Sequence, residues 1–437
     1  MSSRDPDYAT RLTRRACVSS IEIERHQLMH KSHSLAAAAA IVAISALALA
    51  ACSSGGEAAP SGSGEPATGD PIVVGALSGL TFFPEAPQAV QAVFDDYNAA
   101  GGLNGQPIEY TVYDDKTDPA ASATAAQDAL SSGAVALVGG SSLLDCAVNH
   151  TTWEENGIVS IQGTGVDPYC FATPNIAPTN TGPFFDTFAT LYYGSETLGF
   201  DNICAVMVPD EAASKAAYEQ AIAAWGDATG KELAYLDTSL VRGQASYAGN
   251  VSNLKSQDCD AIYMNEVGDA VIALLGEASN QGISLPFLVL TSCYSDQFAA
   301  SAAYSGDIYL PAEWAPYGDT SIEGVQEWAD TMDGHGVPKT SFSQGGYLAA
   351  EYFIDILESI DGDVTRESFT AAAQGMTEEI PSPMAQAPYI FGAGEFHQPN
   401  NTAYPVVLRG GTSEWESLGP LLEGDDLGWV YTTVPAS

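Results

Sequence analysis

Short apolar runs of strand length alternate with longer amphipathic segments along residues 71–290. The run at residues 72–77 is followed by a segment that places Val90, Val93 and Phe94 on one face of a helix. Seven more runs predict strands at residues 108–113, 134–138, 158–161, 203–208, 233–236, 261–264 and 287–290. Helical patterns separate them, at residues 120–130, 184–198, 212–225 and 270–278. Strands that alternate with helices predict parallel sheets covered on both faces.

The alternation falls into two series. The first ends near residue 161, and the second begins with the helix predicted at residues 184–198. Between them, residues 174–183 contain three prolines and read as a crossing segment. The predicted fold class is therefore α/β, with two doubly wound parallel-sheet lobes.

The segment before the body ends in a distinctive tetrapeptide. Residues 35–51 are apolar apart from one serine, too short for a membrane span but suited to a signal-peptide core. Leu49-Ala50-Ala51-Cys52 resembles a bacterial lipobox, in which the cysteine receives a diacylglyceryl group. We expect residues 1–51 to be a signal peptide (1–28 from a start called too early) and residues 52–70 a lipidated cysteine with a flexible tether. A cleaved signal with an incidental cysteine is the alternative.

The chain after the leader is strongly acidic. It has eight basic and 51 acidic residues, a net charge of −43 against −41 for the whole sequence. Nucleic acid is excluded as a partner, because phosphate binding needs Lys and Arg. Anionic lipid headgroups would be repelled, so membrane contact is expected through the acyl anchor only. The acidity either attracts cationic ligands or is a solvated surface without a site.

Five cysteines follow the lipobox, without a CxxC or a Cys/His metal spacing. Disulfides are expected in an exported chain. Cys204 and Cys259 lie in or next to two runs that are candidate parallel neighbours, and Cys146 and Cys170 flank one helix–strand unit. These two pairings are predicted, which leaves Cys293 unpaired.

One block carries a family resemblance. Residues 98–108 read Asn-Ala-Ala-Gly-Gly-Leu-Asn-Gly-Gln-Pro-Ile, followed by Asp114-Asp115 and Asp118-Pro119. The paired glycines end a helix in left-handed geometry, and the Asn-Gly step makes a tight turn into the next strand. With residues 75–79 and 138–142, this block resembles the solute-binding proteins of ABC importers, of the branched-chain amino acid type. The resemblance covers nearly all of residues 71–437.

The resemblance implies the type I periplasmic-binding fold, with a ligand cleft between two lobes. Lobe 1 is expected at residues 71–183 and 312–388, and lobe 2 at residues 184–311 and 389–437. It also implies a monomer without a cofactor that meets the membrane subunits of an ABC permease. Open α/β sheets bind ligands at the carboxyl ends of their strands.

The resemblance implies ligand contacts in the segments that follow the predicted strands. In the first lobe they are Phe83, Ser141, Ser142, Leu143, Thr164, Gly165 and Val166. In the second lobe they are Asn265, Glu266, Val267, Ser292 and Tyr294, with Phe342 and Tyr347 closing the wall. Several have a structural alternative: the serines as helix caps, Glu266 as a helix-start carboxylate, and Phe83, Phe342 and Tyr347 as core.

Two positions depart from the amino-acid-binding pattern of the family. A hydroxyl residue after the third strand grips the ligand carboxylate there, and Leu143 occupies that place here. An acidic residue of the second lobe pairs with the ammonium, where this chain has residues 292–294, Ser-Cys-Tyr. Each unpaired ligand charge would cost about 1–3 kcal/mol or more. The resemblance therefore predicts the fold. For the ligand it predicts only a broad class, an amino acid or an amide-like solute.

The expected function is an extracytoplasmic solute-binding lipoprotein, held on the outer face of the bacterial cytoplasmic membrane, that delivers a small polar solute to an ABC import permease. A sensor that signals through a membrane partner is the alternative, and a hydrolytic enzyme on the same fold is the least favoured. The chain after the leader has three histidines, His150, His335 and His397, and no HExxH, Gly-x-Ser-x-Gly or phosphate loop. We therefore expect neither catalysis nor a bound metal.

Overall fold

The computed structural model describes residues 66–427 except 209, 210, 383, 386, 399 and 420. The predicted signal peptide, Cys52 and residues 53–65 of the predicted tether lie outside the described residues. Within the described part, no helix has the length and apolar character needed to cross a membrane.

The first sheet contains four parallel strands in the order β2-β1-β3-β4. They are β1 (Ile72–Ser78), β2 (Ile108–Asp114), β3 (Leu137–Val138) and β4 (Ser160–Ile161). In register, Ile72 of β1 lies beside Ile108 of β2. Nearly every residue of β1 is buried, as expected for a parallel strand covered on both faces.

The second sheet has a parallel core and an antiparallel edge. Its order is β11-β10-β9-β8-β7-β5-β6, and β12 pairs with β10. The strands are β5 (Ile203–Val206), β6 (Tyr235–Asp237), β7 (Ala261–Met264), β8 (Phe287–Val289), β9 (Ile308–Ala312), β10 (Thr402–Leu408), β11 (Trp415–Ser417) and β12 (Leu422–Glu423). Strands β5 to β9 pair in parallel, whereas β10 runs antiparallel to β9, β11 and β12.

Helices pack around both sheets. Those before β5 are α1 (Glu85–Ala99), α2 (Pro119–Ser131), α3 (Asp145–Glu155), α4 (Pro168–Phe171) and α5 (Gly182–Tyr192), which continues as a π-helical turn at Tyr193–Thr197. The later ones are α6 (Ala212–Thr229), α7 (Ala248–Lys255), α8 (Gly268–Asn280), a 3₁₀ turn at Thr291–Cys293, α9 (Asp296–Ser301), α10 (Glu323–His335), α11 (Ser341–Glu358), α12 (Arg366–Gln374) and α13 (Gly424–Leu427).

The predicted fold class is confirmed, and each of the eight predicted strands is present with shifted ends. The pattern did not predict β9 to β12. Both β9 and β10 contain a proline, and Pro311 lies directly opposite Pro405. Proline removes a ladder donor and weakens a strand prediction, so this antiparallel edge was not visible in the sequence. The division into lobes at residues 183, 311 and 388 stays a prediction.

Two disulfides are present, and they join the pairs that the sequence predicts. Cys146 at the start of α3 is bonded to Cys170 in α4. Cys204 of β5 is bonded to Cys259 in the turn before β7. Cys293 is a free, buried thiol.

The packing of α11 on α1 and the first sheet leaves no room for side chains at two glycines. A Cβ at Gly346 would lie 2.0 Å from the carbonyl oxygen of Ala86, in α1. A Cβ at Gly345 would lie 2.1 Å from the carbonyl oxygen of Gly163, just after β4. This close approach fixes the beginning of α11 above the carboxyl ends of the first sheet.

We expect Gly346→Ala to lower the free energy of unfolding by about 1–3 kcal/mol or more, because the added methyl group overpacks a rigid backbone contact. Gly276→Ala is the matched control. Gly276 is also inside a helix, but a Cβ there meets no atom within 4 Å. That variant is expected to gain up to about 1 kcal/mol from helix propensity. Urea unfolding of both variants measures the difference, and equal effects would contradict the close-contact interpretation.

Candidate functional site

A cavity lies between the carboxyl ends of the parallel strands of the two sheets. Its walls come from segments that follow β1, β3, β4, β6, β7, β8 and β9, from the segment before α5, and from α5, α6 and the start of α11. Its empty volume is about 530 Å³, including the part open to solvent. This is the position at which open α/β sheets favour ligand binding.

The structure brings ten of the fourteen predicted ligand contacts to this cavity. They are Phe83, Leu143, Thr164, Gly165, Val166, Asn265, Glu266, Val267, Ser292 and Phe342. All except Phe342 lie in loops that follow predicted strands. These residues could be predicted from the sequence because the loops that follow parallel strands line the cavity.

Two predicted serines lie outside the cavity lining. The Ser142 hydroxyl oxygen accepts the backbone N–H groups of Leu144 and Asp145, each at 2.9 Å, and donates to the carboxylate of Asp115. It therefore stabilises the turn that leads into α3, although the N-cap residue of this helix is Leu144 and carries no side-chain cap. Ser141 is buried, and among the described residues its hydroxyl has no hydrogen-bond partner.

Two predicted aromatic contacts are core residues. Tyr294 packs its ring against Tyr317 and Trp415, at centroid distances of 4.3 and 5.3 Å. Tyr347 belongs to the apolar cluster beneath α11. Tyr347 thus lies where its core alternative placed it, whereas the core position of Tyr294 was not foreseen as an alternative.

Eight residues line the cavity that the sequence did not identify. They are Asn180, Pro183, Asp186, Tyr218, Arg242, Leu290, Thr291 and Glu313. Most of them lie on helices or on segments that pass between the sheets. The family resemblance was applied mainly to the loops that follow strands, so it did not point to these residues. One signal was present: Asp186 interrupts the apolar run of residues 184–188, Phe-Phe-Asp-Thr-Phe, on a helix otherwise suited to a core.

The wall on the side of the first sheet is largely apolar. The rings of Phe83 and Phe342 are in contact, with centroids 4.7 Å apart. Phe83 is only 2% exposed. A capping box of Thr340 and Ser343 defines the start of α11 and so the place of Phe342. Such a wall can bury a hydrocarbon or aromatic group of a ligand.

The wall on the side of the second sheet carries charge. An Arg242 guanidinium nitrogen lies 3.0 Å from Oε2 of Glu266, whose side chain is 1% exposed while that of Arg242 is 25% exposed. The same oxygen accepts the backbone N–H of Val267 at 3.0 Å. This ion pair places one positive and one negative group at the cavity and balances both.

Two further acidic residues, Asp186 and Glu313, also line the cavity and are buried. The Thr181 hydroxyl lies 2.8 Å from Oδ1 of Asp186 and 3.1 Å from Oε1 of Glu313. Burial raises the pKa of both carboxyl groups, and the charge of Glu313 raises that of Asp186 further. The pair therefore retains a proton to higher pH than free carboxyl groups do.

Glu313 also connects the segments that pass between the sheets. Its Oε1 accepts Asn180 Nδ2 at 2.8 Å, on the segment between β4 and α5, and the backbone N–H of Gly182, the first residue of α5, at 3.0 Å. Its backbone carbonyl accepts Asn400 Nδ2 at 2.7 Å, on the segment that leads into β10. Glu313 itself follows β9. This one residue therefore joins the three segments of the chain that pass between the two sheets.

The comparisons agree with this architecture. The family model described as "Periplasmic binding protein" matches residues 73–412. No curated protein sequence matches the chain.

Solved structures of similar fold include LivJ of Streptococcus pneumoniae, a branched-chain amino acid transporter substrate-binding protein, in complex with isoleucine. It is 18% identical, with a TM-score of 0.68 over 80% of this chain and 100% of LivJ. A possible leucine/isoleucine/valine-binding protein of Rhodopirellula baltica is 15% identical, with a TM-score of 0.70 over 82% and 98%. A fatty acid ABC transporter substrate-binding protein of Thermomonospora curvata is 17% identical, with a TM-score of 0.70 over 85% and 97%. Identities this low establish a common fold alone.

We expect the carboxyl pair to make stability fall as pH rises. Unfolded Glu313 releases its proton near its ordinary pKa of 4.5, whereas the folded carboxyl holds it to higher pH. Between these values the folded state binds more protons, so its stability decreases with pH. Glu313→Gln keeps an oxygen for Asn180 and Gly182 but does not titrate. Urea unfolding at about pH 5 and about pH 8 should show a smaller loss for this variant than for the native protein, and an equal loss would contradict the assignment.

Proposed function

We propose that this chain, which belongs to the periplasmic binding protein family, captures a small solute in the cavity between its sheets and delivers it to an ABC import permease. The observation that supports this most directly is the lining of the cavity. Residues from both sheets contribute, such as Phe83 and Val166 from one and Asn265 and Ser292 from the other. A ligand held there touches both halves of the molecule at once.

The proposed mechanism is closure of two lobes around the ligand. We take the lobes to be residues 71–183 with 312–388, and residues 184–311 with 389–437. Ligand binds one lobe in an open form, and contacts from the other lobe then favour a closed form that docks on the permease. The ligand can shift this equilibrium only by the difference between its affinities for the two forms.

We propose that the solute is held and released unchanged. The polar groups that face the cavity are Glu266 paired with Arg242, the pair Asp186 and Glu313, and neutral side chains. Glu313 is occupied by backbone and side-chain donors that join the chain passages. A carboxyl group committed in this way positions structure and is a poor proton carrier for a reaction.

A thermal-shift screen of amino acids, amides, polyamines, aromatic acids and sugars tests solute capture. A ligand at about 100 times its Kd should stabilise the native state by about 2.7 kcal/mol and raise Tm. Phe342→Ala should weaken that ligand about tenfold, because it removes part of the apolar wall. Phe396→Ala is the control, since Phe396 is 44% exposed and outside the cavity lining. Solute capture is wrong if no compound shifts Tm at about millimolar concentration, or if the ligand is recovered chemically altered.

We further propose that the protein is exported and anchored by lipid at Cys52 to the outer face of the cytoplasmic membrane. The support is the apolar segment of residues 35–51 and the lipobox-like Leu49-Ala50-Ala51-Cys52. Two acyl chains are enough for lasting attachment, since each buried methylene contributes about 0.8 kcal/mol.

Cys52→Ala is expected to remove palmitate labelling in the native bacterial host and to shift the protein out of the membrane fraction. Cys293→Ala is the matched control, because Cys293 is a free thiol outside the lipobox. It should label and fractionate as the native protein does. Unchanged labelling of the Cys52 variant would contradict the anchor.

A further inference from the structure

Within the described part of the chain, two of the three acidic side chains that line the cavity have no cationic side chain in an ion pair with them. Arg242 pairs with Glu266 at 3.0 Å. Among the residues that the structure describes, neither Asp186 nor Glu313 forms an ion pair. Both carboxyl groups are therefore buried without the positive charge that ordinarily accompanies a buried carboxylate.

One oxygen of this pair has no hydrogen-bond donor. Asp186 is fully buried, and its Oδ1 accepts from the Thr181 hydroxyl at 2.8 Å. Its Oδ2 has no hydrogen-bond partner within the described residues. The backbone N–H of Thr291 acts on the carboxyl group and lowers its pKa, but it does not complete a hydrogen bond to Oδ2. Buried acceptors are rarely left unpaired, so this oxygen indicates a donor that arrives with a ligand.

Polarity is divided across the cavity. The side of the first sheet presents Phe83, Leu143, Val166 and Phe342. The opposite side presents the carboxyl pair and the Arg242–Glu266 pair. A matching ligand has an apolar body and one end that carries both positive charge and N–H donors.

We propose that the cavity binds a small hydrophobic amine, whose ammonium group donates to Oδ2 of Asp186 while its apolar part packs on the wall formed by Phe83 and Phe342. The assignment rests on the proposed solute-capture function and names its ligand class. It is independent of the positions at which amino-acid-binding relatives hold the ammonium, since residues 292–294 are not involved. The strongly acidic chain would also raise the local concentration of such a cation.

Binding of the amine should release a proton. The carboxyl pair has raised pKa values because it is buried without a cation, and an ammonium group supplies that cation. The other titratable or charged groups around Asp186 are Glu313 after β9, Tyr218 on α6, Tyr263 on β7, and Arg242 and Glu266 on the same side of the cavity.

The test is calorimetric titration of the whole mature protein with four probes: hexylamine, hexanol, hexyltrimethylammonium and leucine. Hexylamine should bind at least tenfold more tightly than each of the others, because hexanol lacks the charge, the quaternary ion lacks an N–H donor, and leucine brings an unpaired carboxylate. In two buffers of different ionisation enthalpy, the heat of hexylamine binding should differ by the proton released. A calcium titration distinguishes an organic cation from a metal.

Asp186→Asn should weaken hexylamine binding by about 10- to 100-fold and reduce the buffer dependence, because only Glu313 of the pair can then release a proton. Asp145→Asn is the matched control. Asp145 is likewise a buried carboxyl group, its pKa is raised by burial to about 6, and it lies outside the cavity lining. Its variant should bind hexylamine within about twofold of the native protein, with folding of both variants checked by Tm.

Tight binding of hexanol, leucine or calcium in place of hexylamine would overturn the amine proposal while leaving solute capture intact. So would native affinity for hexylamine in Asp186→Asn. Absence of binding by every probe, combined with a positive hit elsewhere in the thermal-shift screen, would likewise overturn the amine proposal alone. Only failure of the entire screen would overturn both.

Discussion

The carboxylate of Glu313 is the constraint on which the geometry of the site depends. Its side chain accepts from Asn180, Thr181 and Gly182, and its own carbonyl accepts from Asn400. These residues belong to the three segments that pass between the sheets. Loss of one hydrogen bond to a buried charged group costs about 1.5–3 kcal/mol, so the arrangement is strongly preferred over any looser one. The loops of the two sheets face each other across the cavity because this residue holds the passages together.

A second constraint acts on the opposite wall and has a steric origin. Gly345 and Gly346 allow α11 to lie against the backbone at Gly163 and Ala86, at distances that leave no space for a Cβ. Phe342 stands one turn before these glycines, so its ring reaches Phe83 only because the helix lies this close. The polar wall is thus fixed by hydrogen bonds and the apolar wall by backbone contact. Each wall can be altered by substitution without changing the other directly.

The sequence predicted those parts of the fold and site that follow from hydrophobic periodicity. Runs such as residues 72–77 and 261–264 became β1 and β7, and the loops after the predicted strands supplied nine of the ten predicted cavity residues. Strands β9 and β10 were missed because Pro311 and Pro405 interrupt their pattern, and antiparallel pairing at an edge has no local signal. Asp186 and Glu313 were missed for a different reason: they meet only through tertiary structure, on segments remote in sequence.

The division of polarity also constrains how closure would work under the proposed function. A ligand whose charged end meets Asp186 gains most of its electrostatic interaction from the second-sheet side, whether the cleft is open or closed. Such an interaction adds affinity but little preference for the closed form, since only differential contacts shift the equilibrium. The preference must then come from the wall that arrives on closure, where Phe83, Leu143 and Phe342 bury apolar surface at about 25 cal/mol per Å². It follows that the carboxyl pair of Asp186 and Glu313 determines which ligands bind. The apolar wall determines how strongly a bound ligand favours the closed form.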